Sequence, residues 1–318
     1  MPSLFHSYIT YGLLGSLLVV VFILALQGLG GLKEGIGRKG LLQLSLVIPL
    51  AGLFLACLGA DFSHYRPDDP GRHLQGLFAI ACLAGRFAGQ NWTYLLGAAT
   101  ALTSLQLFRS FVKIRRLVAR FGFFPPGADP ALDALIERLA TRLGVSRPKV
   151  VVLPATGVVS FTFGVICPVI VLSRGTLELL NQDELEGVLA HELAHIKGRD
   201  AFKGWITLAL RNLMFFNPLA HWAHQALRVE REMAADDLAV SVTGKPVTYA
   251  AALLKAYRLS SPVRFSLAGT SGFGWPKADL TRRIDRVLAL EPPEDPMQSW
   301  IMIGMVLFVV LYFLSFVC

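Results

Sequence analysis

Asn181-Gln182-Asp183-Glu184-Leu185-Glu186-Gly187-Val188-Leu189-Ala190-His191-Glu192-Leu193-Ala194-His195-Ile196-Lys197-Gly198 reads as a single capped helix. Asn181 suits the N-cap, and Glu184 stands three residues on, where its carboxylate can return a bond to the cap backbone. Gly198 is the expected left-handed stop after Lys197. On such a helix His191 and His195 project from one face and can hold one metal ion. Glu192 follows the first of them, placed to reach water beside the metal rather than the metal itself. Two histidines do not complete a tetrahedral site, so a third protein ligand is required.

The second half of the chain offers that ligand. Asn217-Pro218 looks like an N-cap followed by proline at the first helical position, opening a helix that runs to Thr243 and stops at Gly244 and Pro246. Along it Glu232 and Asp236 share a face. Glu232 is the candidate third ligand, and Asp236 is placed to accept a hydrogen bond from the far nitrogen of a ligand histidine and fix its tautomer. Taken singly, each signal is weak. A bare H-E-x-x-H arises by chance, and Glu and Asp four apart are ordinarily a solvated face. In this order, on two separately capped helices, they argue for one site.

Other polar residues are set aside by distance or plainer readings. His221 lies about 16 Å before Glu232 at ~1.5 Å per residue, too far to share an ion, so His221 and His224 read as surface or membrane-interface histidines. Arg228, one turn before Glu232, and Arg282, in a helix with Arg283 and Arg286, are candidate oxyanion or substrate contacts. A salt bridge for Arg228 and a basic membrane-facing helix for the other three are the plainer alternatives.

The 318 residues are 54% hydrophobic and 16% charged, against about 45–50% and about 25% in soluble domains, which points to a membrane protein. Three uninterrupted apolar stretches, at about 8–28, 41–60 and 91–109, and a last one at 299–318, are each long enough to span by the ~20-residue rule. No Lys or Arg precedes the first, so it reads as a retained span rather than a secretory signal. Residues 74–86 are apolar but short, and read as an interfacial or re-entrant segment. The net charge of +8 comes from basic residues that flank apolar runs, which argues for topology and against nucleic acid. With Lys33–Lys39 and Arg109–Arg120 on the inside, the N-terminus and Cys318 fall outside and the block between the third and last spans is cytosolic. The four cysteines, Cys57, Cys82, Cys167 and Cys318, lack metal-ligand spacing and read as small hydrophobes.

The cytosolic block opens with Phe123-Phe124-Pro125-Pro126-Gly127. A helix over Pro130–Leu143 carries Leu132, Leu135, Ile136 and Leu139 on one face. Strands are expected at Lys149–Leu153, Val158–Phe163 and Val169–Leu172, short or at edges because of Pro154 and Pro168. Phe161, Thr162, Phe163 and Gly164 form a candidate edge on which an extended substrate adds as another strand. Lys203–Phe216 is apolar but short, and is expected to pack at the cytoplasmic membrane face.

Phe161-Thr162-Phe163-Gly164, Pro168-Val169-Ile170-Val171-Leu172, Asp183-Glu184-Leu185, His191-Glu192-Leu193-Ala194-His195, Arg199-Asp200, Asn217-Pro218 and Arg231-Glu232-Met233-Ala234-Ala235-Asp236-Asp237 together resemble the membrane gluzincins of the beta-lactam-receptor (BlaR/MecR) peptidase family. The HtpX and CAAX-prenyl-protease families are similar over the two metal motifs. The resemblance implies one zinc ion per chain, held by His191, His195 and Glu232, with Glu192 catalytic. Antibiotic receptors of that family carry a large sensor domain after the last span. This chain stops at Cys318, so the expectation is a sensorless relative that receives its signal from a partner, the membrane or short loops. The expected architecture is a mainly α membrane protein: an N-terminal membrane domain (1–120), a cytosolic α+β gluzincin zinc-peptidase domain with a small β-sheet (121–298) and a C-terminal transmembrane helix (299–318). It would lie in the cytoplasmic membrane and cut protein or peptide substrates, membrane-anchored ones included, in signalling or regulated processing. The alternatives are an HtpX-like quality-control protease and a non-catalytic, zinc-stabilised scaffold, which would have no need of Glu192.

Overall fold

The computed structural model describes residues 2–28, 36–57, 75–259, 277–289, 297, 300, 301 and 303–308. The chain forms two compact units, each discontinuous in sequence: Met1–Ser104 with Ala209–Leu227 and Pro293–Cys318, and Leu105–Leu208 with Arg228–Pro292.

The first unit is helical. α1 (Pro2–Gly28) packs on α2 (Ile36–Cys57), and α3 (Gln75–Phe121) begins here. Its core joins Val19 and Ile23 to Leu41, Leu42 and Leu46 and to Met214, Ala220, Ala223 and Leu227. Three neutral buried side chains are linked, Ser16 Oγ donating to the Ser45 carbonyl at 2.9 Å and Asn217 Nδ2 to Ser16 Oγ at 2.9 Å, and the cationic Arg38 is buried as well. Among the described residues, no helix is long and apolar enough to cross a membrane. The stretch 8–28 lies within α1 and 91–109 within α3, while 58–60 and most of 299–318 lie outside the described residues. Residues 75–86, set apart in the sequence as an interfacial or re-entrant segment, are helical and continuous with the rest of α3.

The second unit holds a three-stranded sheet in the order β1-β3-β2, made of β1 (Lys149–Leu153), β2 (Ser160–Phe163) and β3 (Val169–Ser173). β1 pairs parallel to β3, and β2 antiparallel. Around it lie α4 (Pro130–Leu143), α5 (Arg174–Leu179), α6 (Gln182–Gly198), α7 (Asp200–Leu213), α8 (Pro218–Thr243), α9 (Pro246–Arg258) and α10 (Lys277–Ala289). α7 and α8 contribute residues to both units.

Local chemistry accounts for the framing elements. Asp129 caps α4 by accepting from the Ala131 and Leu132 amides, and Gly144, at φ 66°, closes it. Its buried face, Leu132, Leu135, Ile136 and Leu139, shares a core with Leu189, Ala190 and Leu193 of α6. β3 is buried along its whole length, as an unbroken Val-Ile-Val-Leu run requires. The prolines were expected to keep the strands short or at edges. All three are short, but β3 is central, because Pro168 stands before the strand and offers only its carbonyl, which accepts from the Lys149 amide at 3.3 Å.

Candidate metal centre

α6 carries the two histidines, and its start is fixed as a full capping box: Asn181 Oδ1 accepts from the Glu184 amide and Glu184 Oε2 from the Asn181 amide, both at 2.8 Å. Lys255 also reaches Glu184, at 2.8 Å, tying α6 to α9. The end of the helix differs from expectation. The left-handed residue is Arg199, at φ 52°, and Gly198 is the last helical residue. Glycine at 198 leaves room for the Asp200 side chain, since a Cβ there would lie 3.0 Å from Asp200 Oδ1 and Asp200 would have to shift. The turn brings Asp200 back under His195, whose Nδ1 stands 2.8 Å from Asp200 Oδ2.

α8 delivers Glu232 and Asp236 to the same place. His191 Nε2 lies 3.1 Å from His195 Nε2 and 3.4 Å from Glu232 Oε2, and His195 Nε2 lies 3.7 Å from Glu232 Oε2. A zinc ion with Zn–N of about 2.0–2.1 Å in tetrahedral geometry spaces its ligands about 3.3–3.4 Å apart. The three donors are buried and converge at that spacing, so the residues fit a zinc ion.

Behind His191 the support is an ionic network. His191 Nδ1 lies 3.0 Å from Asp236 Oδ1 and 2.9 Å from Tyr249 Oη; Tyr249 donates to Asp236 Oδ1 at 2.6 Å. Arg283, from α10, donates to both Asp236 oxygens at 2.6 and 2.7 Å, and its Nη1 is 3.7 Å from Glu232 Oε2. Only 1% of Arg283 is exposed. Both histidines therefore present Nε2 to the cluster with Nδ1 held from behind, the arrangement that fixes the tautomer and orientation of a metal-binding imidazole.

Charges follow the contacts. Burial opposes ionisation of Asp236, but the Arg283 charge and hydrogen bonds outweigh it and hold the carboxyl down at about 2. Burial likewise works against Glu232, and His195, His191 and Arg283 overcome it, so Glu232 is held well below the usual carboxylate range. In the metal-free protein burial disfavours the charged form of His195, yet Glu232 and Asp200 raise it to about 10; His191 is raised for the same kind of reason by Asp236 and Glu232. Burial, then the Asp236 charge, pushes the Tyr249 phenol well up, so it stays a donor.

Glu192 is 1% exposed and sits beside the cluster. Its Oε1 accepts from Ser160 Oγ and its Oε2 from Thr162 Oγ1, each at 2.7 Å. β2 is an edge strand with β3 as its single strand neighbour among the described residues. The side chains of Phe161, Thr162 and Phe163 are buried, and Gly164, at φ 94°, begins the turn to β3. A small cleft runs from His195 past Thr162, Gly164, Val165, Pro168 and Phe202.

Of the arginines considered from sequence, the structure brings Arg283 into the site and leaves Arg282 and Arg228 exposed. An (i, i+1) neighbour on a helix points about 100° away, so Arg282 faces outward when Arg283 faces in. Arg286 pairs with Asp237 at 2.9 Å. His221 is exposed, whereas His224 is buried rather than superficial. Cys167 is free and exposed in the turn between β2 and β3. Sequence reasoning gave no role to Asp200, Tyr249 or Ser160. Asp200 had a local signal, an acid just past the helix stop; Tyr249 had none.

The fold and this cluster are of the kind found in H-E-x-x-H metallopeptidases. Residues 90–287 match the family described as BlaR1 peptidase M56, and the chain belongs to that family. It is also similar to proteins described as "Protease HtpX homolog". With the one from Pyrococcus abyssi (strain GE5 / Orsay) it shares 30% identity over 161 residues, 40% of this chain and 56% of that protein. With the one from Gemmatimonas aurantiaca (strain DSM 14586 / JCM 11422 / NBRC 100505 / T-27) it shares 30% over 204 residues, 52% and 72% respectively. The Aquifex aeolicus (strain VF5) protein is 38% identical over 97 residues, 30% of this chain and 32% of that one. The chain thus spans little more than half the length of the Pyrococcus relative.

Proposed function

We propose that the protein is an integral-membrane, zinc-dependent endopeptidase that cleaves protein substrates at or near the cytoplasmic membrane face in signalling or regulated processing. The observation that carries the peptidase reading is the buried convergence of His191 Nε2, His195 Nε2 and Glu232 Oε2 beside the carboxylate of Glu192. The four-span topology, with the peptidase unit cytosolic, rests on the apolar runs and their basic flanks in the sequence.

Bound at this cluster, zinc would act as a Lewis acid towards a carbonyl and lower the pKa of water towards about 7. His191, His195 and Glu232 would hold it, while Asp236, Tyr249 and Asp200 keep the imidazoles in register. Glu192 accepts a proton from the attacking water and returns it to the leaving amine. The outer edge of β2 suits an extended substrate that adds as a strand.

Glu192→Gln is the test. It should retain zinc yet lose cleavage of a generic unfolded protein such as casein, whereas His195→Ala should lose the metal. Full proteolysis by purified Glu192→Gln would sink the assignment. A quality-control role is the second reading, favoured by the likeness to HtpX homologues. Substrate trapping with Glu192→Gln separates the two: a narrow set of captured proteins supports signalling, a broad set quality control.

A further inference from the structure

Ser160 and Thr162 are two residues apart on β2, so they share one face, and that face meets α6. Phe161 and Phe163 point the other way, into a core with Val151, Val169 and Val171. The strand is thus anchored by its aromatic side, and its hydroxyl side is aimed at one carboxylate. Each oxygen of Glu192 accepts one hydroxyl at 2.7 Å, and Thr162 Oγ1 lies 3.3 Å from the Glu192 carbonyl as well. Ser160 is 1% exposed and Thr162 6%.

A buried carboxylate is normally matched by a cation. Among the described residues Glu192 forms no ion pair, whereas Asp236, a few ångströms beyond the same ligand, takes a bidentate guanidinium. Two hydroxyls at fixed positions on one strand orient the carboxylate plane. One hydroxyl per oxygen also leaves a second lone-pair direction on each for water.

We propose that Ser160 and Thr162 are positioning residues, a pair of neutral donors on β2 that fix the carboxylate plane of Glu192 for proton transfer. The proposal rests on the reading of Glu192 as general base. The strand suited to receive substrate then also sets the base, so base and substrate share one rigid reference.

The test uses the full-length zinc-loaded protein with fluorescent casein as substrate. Thr162→Val should lower kcat about 10–100-fold, the range seen when a supporting partner of a catalytic group is removed. Ser160→Ala with Thr162→Val should lower it further. KM, zinc content and thermal midpoint should change little, and Thr162→Ser should restore most of the rate. Independently of turnover, the infrared difference between wild type and Glu192→Gln isolates the Glu192 carboxylate bands, and the double variant should shift them. Wild-type kcat in the double variant, or a loss not restored by Thr162→Ser, would overturn the proposal; so would unshifted carboxylate bands. An inactive wild type would instead defeat the peptidase reading, and the infrared bands would still decide the clamp.

Discussion

The two candidate ligand histidines are supported by two different kinds of region. His195 leans on Asp200, five residues along the chain, delivered by the Arg199 turn at the end of its own helix. His191 leans on Asp236, Tyr249 and Arg283, drawn from α8, α9 and α10 and up to 92 positions away in sequence. One support is local and partly exposed at its carboxylate; the other is long-range and sealed, with side-chain exposures of 13% for Asp200 and 1% for both Asp236 and Arg283. Loss of the local support is expected to spare the fold, and loss of the distant one to weaken both the fold and the candidate metal site.

Asp236→Ala should be the most damaging change, because it strips the buried Arg283 of its bidentate partner and leaves it only the longer contact to Glu232. Breaking one side of a buried pair costs about 3–5 kcal/mol, measurable by denaturant unfolding of the chelator-treated protein; an unchanged midpoint would erase the contrast between the two supports. Tyr249→Phe removes one hydrogen bond to a charged group, for about 1.5–3 kcal/mol, and should weaken zinc binding in a competition titration. Gly187→Ala tests how Tyr249 is seated, since a Cβ there would lie 2.8 Å from Tyr249 Cδ2. Overpacking of about 1–3 kcal/mol is expected, with the helix itself intact by circular dichroism. Asp200→Asn should affect stability least, by about 1 kcal/mol, yet lower zinc affinity about 10–100-fold. A large loss of stability there would show that the local support also carries the fold.

The separation of stability from metal affinity follows from burial. Asp236 and Arg283 are costly to leave unpaired because no water reaches them. Asp200 keeps some access to solvent, so its partner loses orientation more than solvation. In the first unit Ser16, Ser45 and Asn217 are neutral and linked by hydrogen bonds, and Arg38 is a buried cation. In the second unit buried acids and a buried guanidinium gather where three helices converge on His191, the place of the proposed chemistry.

The sequence alone was enough for whatever depends on spacing along one element. The capping box of α6, the i,i+4 pairs on α6 and α8, the Asn217-Pro218 start of α8 and the apolar face of α4 all follow from helical periodicity and cap chemistry, which act over a few residues. It misplaced the stop of α6 by one residue, because Gly198 looks like a cap by type and serves by its lack of a Cβ. Tertiary structure alone decided that β3 is central, that Arg283 rather than Arg282 turns inward, and that Tyr249 backs His191. It also decided that two hydroxyls from β2 hold Glu192. Each of these depends on which surfaces meet across long stretches of chain, and that is set by the packing of whole elements, on which local periodicity is silent.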